Sequence, residues 1–260
     1  MFFCFDAEGT LWESGRPVPG AAEFLAFVEV RNWPYVVLTN TVSRDPSQLS
    51  QAWARQGLKV PAWRFVTPFD ALNRFLEQQF PDREGSFRWV GSRHQARRLA
   101  RQPSPQNPNW VILGDIESFS WNLKYLNLLV NDLRQGARLA TLSPSLFYAK
   151  GSTWRLDTGC FVRLLEPFVD TPPLVLGKPN PLLIEAARHR LGVTGPLCIV
   201  GDDVETDVQL ARSVGSASLL LRQGKYKHGD EYRLAPTWCA TNLEEAGQLL
   251  ERWGASQPEP

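Results

Sequence analysis

The sequence predicts an α/β protein: a Rossmann-like parallel sheet covered by helices, with a second α/β segment inserted into it. Apolar runs of strand length alternate with helical segments along most of the 260 residues. Carboxylates, a hydroxyl and a lysine stand at the ends of several of those runs, where open parallel sheets bind ligands.

Phe2 to Phe5 is apolar without polar alternation, the pattern of a strand buried on both faces, and the strand read at 2–6 ends in Asp6. Pro19 opens a helix whose apolar face uses Ala22, Leu25, Ala26 and Val28. A second buried strand at 35–38 ends at Thr39-Asn40, and Pro46 and Gly57 bound the next helix. A short strand at 65–66 leads into a helix from Pro68 to about Phe80. This βαβαβα order implies a parallel sheet with covered faces. Residues 81–86 are polar and turn-rich and read as a linker. A second alternating block follows, with strands at 87–91, 110–113 and 137–142 and helices at 92–101, 119–134 and 159–166. After Pro167 and Asp170-Thr171-Pro172-Pro173 the first pattern resumes. Strands are expected at 174–176, 197–200 and 217–221, with helices at 180–191, 205–214 and from 242. Residues 257–260 read as a disordered tail. The expected organisation is a discontinuous core, 1–81 and 172–260, interrupted by an inserted domain, 82–171.

A net charge of +1 provides no field to gather nucleic acid or an acidic membrane surface. The ten tryptophans interleave with core positions and no basic groove accompanies them, so no nucleic-acid partner is expected. No segment approaches the roughly 20 apolar residues that span a bilayer, and the apolar start is too short for a signal peptide. Cys4, Cys160, Cys198 and Cys239 lie far apart and read as reduced thiols of a cytoplasmic protein. His94, His189 and His228 are scattered surface or helix positions. Arg93, Arg97, Arg98 and Arg101 form a basic face, either solvated or used by a phosphate-rich substrate, and Lys225-Tyr226-Lys227-His228 reads as a solvated loop.

Four strand ends carry chemistry: Asp6 with Glu8, Thr39-Asn40, Gly177-Lys178-Pro179, and Gly201-Asp202-Asp203 with Asp207 one turn further on. Each has a structural reading by itself. Asp6 can cap a turn, Thr39-Asn40 can be a plain strand exit, Lys178 a solvated lysine and Asp202-Asp203 a helix cap. If the four strands lie parallel in one sheet, the groups converge at its carboxyl edge. Carboxylates gathered there suit Mg²⁺, a hard ion that prefers oxygen ligands. A hydroxyl, a backbone N–H and an ammonium suit a phosphoryl group.

In this order the motifs resemble the haloacid dehalogenase (HAD) superfamily of aspartate-nucleophile phosphatases. The resemblance is closest to the branch with a C2-type α/β cap (subfamily IIA), which contains the sugar-phosphatase, 4-nitrophenylphosphatase and pyridoxal-phosphatase-like proteins. Phe5-Asp6-Ala7-Glu8-Gly9-Thr10-Leu11-Trp12 is similar to the first family motif, Leu38-Thr39-Asn40 to the second and Gly177-Lys178-Pro179 to the third. Val200-Gly201-Asp202-Asp203-Val204-Glu205-Thr206-Asp207 is similar to the fourth. The resemblance implies that Asp6 is a nucleophile forming an aspartyl-phosphate, while Thr39 and the N–H of Asn40 hold phosphoryl oxygens. It implies that Lys178 neutralises charge, and that Mg²⁺ is bound by Asp6, Asp202 and the backbone carbonyl of Glu8, with Asp207 a further acid of the metal site. Asp203 is expected to be a solvated helix-start carboxylate. Asp115, after Leu113-Gly114, lies ahead of Lys178, whereas the family places its Gly-Asp after the lysine; Asp115 is therefore a residue of the insert with a structural role. The implied partner is a small-molecule phosphate ester, with a homodimer formed through the cap.

The chain departs from the family at residue 8, where the resemblance implies an Asp that protonates the leaving oxygen and then activates water, a catalytic role that falls here to Glu8. Glu8 adds a methylene and shifts the carboxyl group by roughly 1 Å, a displacement that can cost about 100-fold in rate. The expected function is a Mg²⁺-dependent phosphomonoester hydrolase. Its competitors are a catalytically weakened protein of the same fold that binds a phosphorylated ligand or a protein partner, and a phosphotransferase or mutase that uses the same intermediate. In the cap, Tyr148 is a candidate for contacting the leaving group. Asp157, in the turn Leu156-Asp157-Thr158-Gly159-Cys160, either faces the substrate or caps the following helix.

Overall fold

The apolar run at the start of the chain forms a strand, Phe2–Asp6, in which all five residues are buried. The computed structural model describes residues 1–81, 84–115, 119, 121–150 and 153–256, without the side chains of 84, 85, 149 and 150. The tail expected at 257–260 and residues 82–83 of the expected linker lie outside the described residues. The chain forms two compact units. One comprises Met1–Thr39, Arg44–Val66 and the chain from Leu183 onward, and the other comprises Asn40–Ser43 and Thr67–Leu182.

In the first unit six parallel strands pair in the order Trp238–Ala240, Ala217–Leu221, Leu197–Gly201, Phe2–Asp6, Tyr35–Leu38, Phe65–Val66. The chain leaves Phe2–Asp6 toward one side of the sheet and later returns on its other side. That strand is therefore the topological switch point, where parallel sheets open a crevice at their carboxyl edge. Apolar side chains on both faces hold the sheet. Phe5 meets Phe24 edge-on at 5.1 Å, and Trp12 stacks on Trp53 at 5.0 Å. The first helix, Ala21–Val30, buries Ala21, Phe24, Leu25 and Val28. Ala22 and Ala26, expected on that face, are exposed instead. Phe24 has far more apolar area to bury than an alanine, and it turns the helix accordingly. The next helix, Pro46–Ala54, starts where expected, with Asp45 and Gln48 closing a reciprocal capping box.

The second unit has its own parallel sheet, ordered Leu174–Val175, Arg138–Thr141, Trp110–Leu113, Phe87–Val90. The strand expected at 174–176 to resume the first sheet pairs here instead, as Ala140 and Thr141 register with Leu174 and Val175. A bidentate pair between Arg88 and Asp132 ties the strand Phe87–Val90 to the helix Leu123–Arg134. An antiparallel hairpin, Phe147–Lys150 with Thr153–Leu156, precedes the helix Thr158–Leu165.

The basic face expected at 93–101 is partly spent on packing. Arg98 lies over the Phe69 ring at 4.3 Å, and Arg101 donates to the Phe80 carbonyl at 2.7 Å. Cys4 and Cys198 are buried, Cys160 and Cys239 partly so, and all four are free thiols. Among the described residues no helix is long and apolar enough to cross a membrane.

Candidate active site

Asp6 ends the strand Phe2–Asp6, and Asp202 follows the neighbouring strand Leu197–Gly201. The register Phe5↔Val200 brings both to the same carboxyl edge. Asp207 comes from a π-helical turn, Val204–Val208, and its carboxylate accepts the Asp203 N–H at 3.2 Å. One carboxylate oxygen from each of Asp6, Asp202 and Asp207 lies within 4.8 Å of the other two, and all three residues are buried. Like charges that close repel by on the order of 3 kcal/mol per pair at the effective dielectric of a protein.

The backbone wraps tightly around this cluster. Asp202 accepts the Thr10 hydroxyl at 3.3 Å and the Lys225 N–H at 2.6 Å. A Cβ on Gly9 would stand 2.1 Å from Asp202 Oδ2, and one on Gly224 2.2 Å from the same atom. Both glycines have positive φ, so conformation and space select the same residue twice. Three convergent carboxylates, all oxygen donors, fit a hard divalent cation.

Glu8 lies one turn beyond Asp6 and its residue surface is exposed. Its carboxyl is nonetheless pushed up to about 7, first because surrounding protein thins its hydration and second because the Asp6 carboxylate repels it. Arg44 and Lys225 pull the other way. Thr39, buried, follows Tyr35–Leu38 and gives its N–H to Val66 at 3.1 Å. Asn40 and Lys178 meet in the second unit, where Asn40 Oδ1 accepts the Lys178 backbone N–H at 2.7 Å. A Cβ on Gly177 would stand 2.8 Å from that same oxygen. Lys178 is buried and follows the strand Leu174–Val175 of the second sheet, so the four predicted strand ends do not share one sheet.

Two family profiles match the chain, haloacid dehalogenase-like hydrolase over residues 3–102 and HAD-hydrolase-like over residues 175–246, together well over half of it. The chain belongs to the haloacid dehalogenase-like hydrolases. It is 28% identical to dihydroxyacetone phosphatase of Corynebacterium glutamicum, across 95% of this chain and 90% of that protein. It is 27% identical to ribonucleotide monophosphatase NagD of Escherichia coli, across 92% of this chain and 95% of the relative. The solved NagD structure matches with a TM-score of 0.82, covering 94% of this chain and 97% of NagD. Glycerol phosphate phosphatase of Mycobacterium tuberculosis, solved in complex with magnesium, shares the fold at 22% identity and a TM-score of 0.82, over 95% of this chain and 76% of that one. This HAD hydrolase belongs with the phosphatases of the family.

Elsewhere in this HAD phosphatase, Asp157 is the N-cap of Thr158–Leu165 and accepts the Thr158 N–H at 2.7 Å. Tyr148, half-buried, stands on the hairpin opposite Arg155. Asp115 follows the strand Trp110–Leu113 of the second sheet, whereas Asp6 and Asp202 stand at the ends of strands of the first. Asp203 accepts the Glu205 N–H at 2.9 Å and pairs with the Lys225 ammonium at 3.2 Å, the helix-start role expected of it.

Sequence reasoning passed over the loop after Ala217–Leu221, where Gln223 donates to the Gly9 and Thr10 carbonyls while Gly224 and the Lys225 N–H lie against Asp202. Gly224 just past the end of a strand was the available signal, since it marks a close backbone approach.

Proposed function

We propose that this protein is a Mg²⁺-dependent phosphomonoester hydrolase that acts on a small phosphorylated metabolite through an aspartyl-phosphate at Asp6. The observation that carries the reading is the buried convergence of Asp6, Asp202 and Asp207 at the sheet's switch point. Charges so placed are tolerated when a cation or a reaction uses them. The relatives' names, dihydroxyacetone phosphatase and ribonucleotide monophosphatase, support a small phosphate ester as the substrate class.

Asp6, Asp202 and the backbone carbonyl of Glu8 would hold Mg²⁺, with Asp207 a further acid of the site. Bound there, the ion would neutralise charge on the phosphoryl group. Asp6 attacks phosphorus in line; its O–P bond forms as the ester P–O bond breaks, and the Glu8 carboxyl gives its proton to the departing oxygen. The Glu8 carboxylate next takes a proton from water as the water oxygen attacks phosphorus. Inorganic phosphate leaves and Asp6 is restored. The Thr39 hydroxyl and the Asn40 N–H hold phosphoryl oxygens, and the Lys178 ammonium offsets their charge. Residues 82–171 act as a cap that excludes water, with Tyr148 contacting the leaving group. Phe147, Trp154 and Leu156 of the cap hairpin are 57%, 72% and 63% exposed, and a second copy of the chain would cover them in a homodimer. Four free thiols suit a reducing cytoplasm.

The purified protein, given Mg²⁺ and a panel of phosphomonoesters, should release inorganic phosphate and stop on addition of EDTA. Asp6→Asn should cut turnover by at least about a thousandfold. Activity surviving in Asp6→Asn refutes the nucleophile, and ligand binding without turnover across the panel would establish a binding protein instead.

A further inference from the structure

The turn that carries Glu8 closes mainly on itself. Leu11 N–H and Trp12 N–H both donate to the Ala7 carbonyl, at 3.0 and 2.9 Å, and Gly9 N–H donates to the Trp12 carbonyl at 2.8 Å. That pattern leaves the Gly9 and Thr10 carbonyls needing donors from elsewhere. Gln223 supplies them: its Nε2 donates to Gly9 O at 2.9 Å and to Thr10 O at 3.1 Å. Both acceptors are carbonyl oxygens, which fixes the orientation of the side-chain amide.

The next two residues tighten the same junction. A Cβ on Gly224 would stand 2.7 Å from Gly9 Cα, so the two backbones touch there. Lys225 N–H holds Asp202 Oδ2 at 2.6 Å. Three consecutive residues thus fasten the Glu8 turn and a carboxylate of the cluster to one loop. On its other side the turn is tied to the sheet through Ala7 N–H and the Leu38 carbonyl, at 2.9 Å.

We infer that Gln223 is a positioning residue for Glu8: its amide fixes the turn from which this acid reaches the leaving group. The inference rests on the acid role proposed for Glu8. A glutamate has one more rotatable bond than an aspartate, so the placement of its carboxyl depends strongly on where the turn holds its backbone. Displacements near 1 Å at such a group cost about 100-fold.

Gln223→Met keeps the length and removes the donors; Gln223→Glu keeps the shape and sets acceptors against carbonyl oxygens. The decisive readout is kcat/KM for an alkyl phosphate beside kcat/KM for 4-nitrophenyl phosphate. That constant covers the steps through departure of the leaving group. An alkoxide needs a proton from Glu8, whereas 4-nitrophenolate is a weak base and departs with little help.

In Gln223→Met the alkyl phosphate should lose about tenfold or more and the nitrophenyl ester less than about threefold. Mg²⁺ affinity and melting temperature should hold, and amide exchange across residues 8–12 should quicken about tenfold. Gln223→Glu should exaggerate each change. Equal losses on both esters, or unchanged exchange in the turn, overturn the assignment. Glu8→Gln is the control and should show the same selective loss. If Glu8→Gln is not selective, the acid role of Glu8 fails and takes this assignment with it. If Glu8→Gln is selective and Gln223→Met is not, the positioning role alone fails.

Discussion

Residue 8 bears most directly on the proposed chemistry, because among the four motifs it is where the resemblance leads one to expect Asp and this chain has Glu. Crowding and the Asp6 carboxylate keep the Glu8 carboxyl well above the ordinary range, which suits a group that must carry a proton to a leaving oxygen. Glu8→Ala should lower turnover at least about tenfold with little change in Mg²⁺ affinity, since only the backbone carbonyl of this residue is proposed to meet the ion. Turnover equal to the parent would remove Glu8 from the chemistry. A large gain in Glu8→Asp would show that the extra methylene compromises the native site. The glycines are as restrictive as the acids. In Gly224→Ala the new methyl would stand 2.2 Å from Asp202 Oδ2, so the carboxylate has to move. Calorimetry on that variant should find Mg²⁺ binding weakened by about tenfold or more, and unchanged affinity would mean that Asp202 does not bind the ion. Asp6 and Asp202 were legible as neighbours because each stands at or just past a strand end, and Asp207 because it lies one turn into the helical segment after Asp202. Gln223 was not, because its partners are backbone carbonyls 214 and 213 residues away, and no local pattern encodes such a pairing.

The loop after Ala217–Leu221 has to hold its shape if Gln223 and Lys225 are to fasten the site. Asp230 organises it, accepting the Lys227 N–H at 2.8 Å and Arg233 at 3.1 Å. The Lys227 N–H first, and Arg233 in support, hold the Asp230 carboxyl below the ordinary carboxylate range. A carboxylate whose folded pKa is depressed contributes stability above its unfolded pKa, about 4, and loses it as the pH falls through the folded value. Asp230→Asn should therefore destabilise by on the order of 1 kcal/mol at pH 7, and the gap to the parent should close toward pH 3. Urea melts at the two pH values measure this, and a gap independent of pH would remove the charge from the explanation. Elements whose residues are buried all round were easiest to read. The strand Trp110–Leu113 falls on the expected residues because it is a continuous apolar run, and Ala217–Leu221 because its apolar run, interrupted only by the small Ser218 behind Ala217, stops at Arg222. The hairpin Phe147–Lys150 with Thr153–Leu156 was missed, although Gly151-Ser152 between its strands is a turn signal; its second strand is exposed throughout and shows no buried face. The helix expected at 205–214 opens instead as the π-turn Val204–Val208 that carries Asp207. Periodicity of 3.6 has no means of showing that register shift, which here serves the site.

For the molecule as a whole, the acid cluster opposes folding unless a cation offsets its charge. Without a cation, three buried carboxylates within 4.8 Å repel one another and lower the stability of the folded state. The unfolded chain separates them and feels no such cost. A cation bound by the folded form alone stabilises it by RT ln(1 + [L]/Kd), about 2.7 kcal/mol at a hundredfold excess over Kd. Asp207→Asn isolates the effect, because the amide oxygen can still accept the Asp203 N–H that Asp207 now accepts at 3.2 Å while one charge is gone. In EDTA at pH 8 this variant should be more stable than the parent by on the order of 1–3 kcal/mol, the repulsion it relieves. Adding Mg²⁺ should reverse the order, since the parent gains the full linkage term and the variant only part of it. Thermal melts of both proteins across a Mg²⁺ series read out both halves. A variant less stable than the parent in EDTA would mean that packing, not charge, dominates at Asp207. Parallel Mg²⁺ responses would show that this carboxylate takes no part in holding the ion.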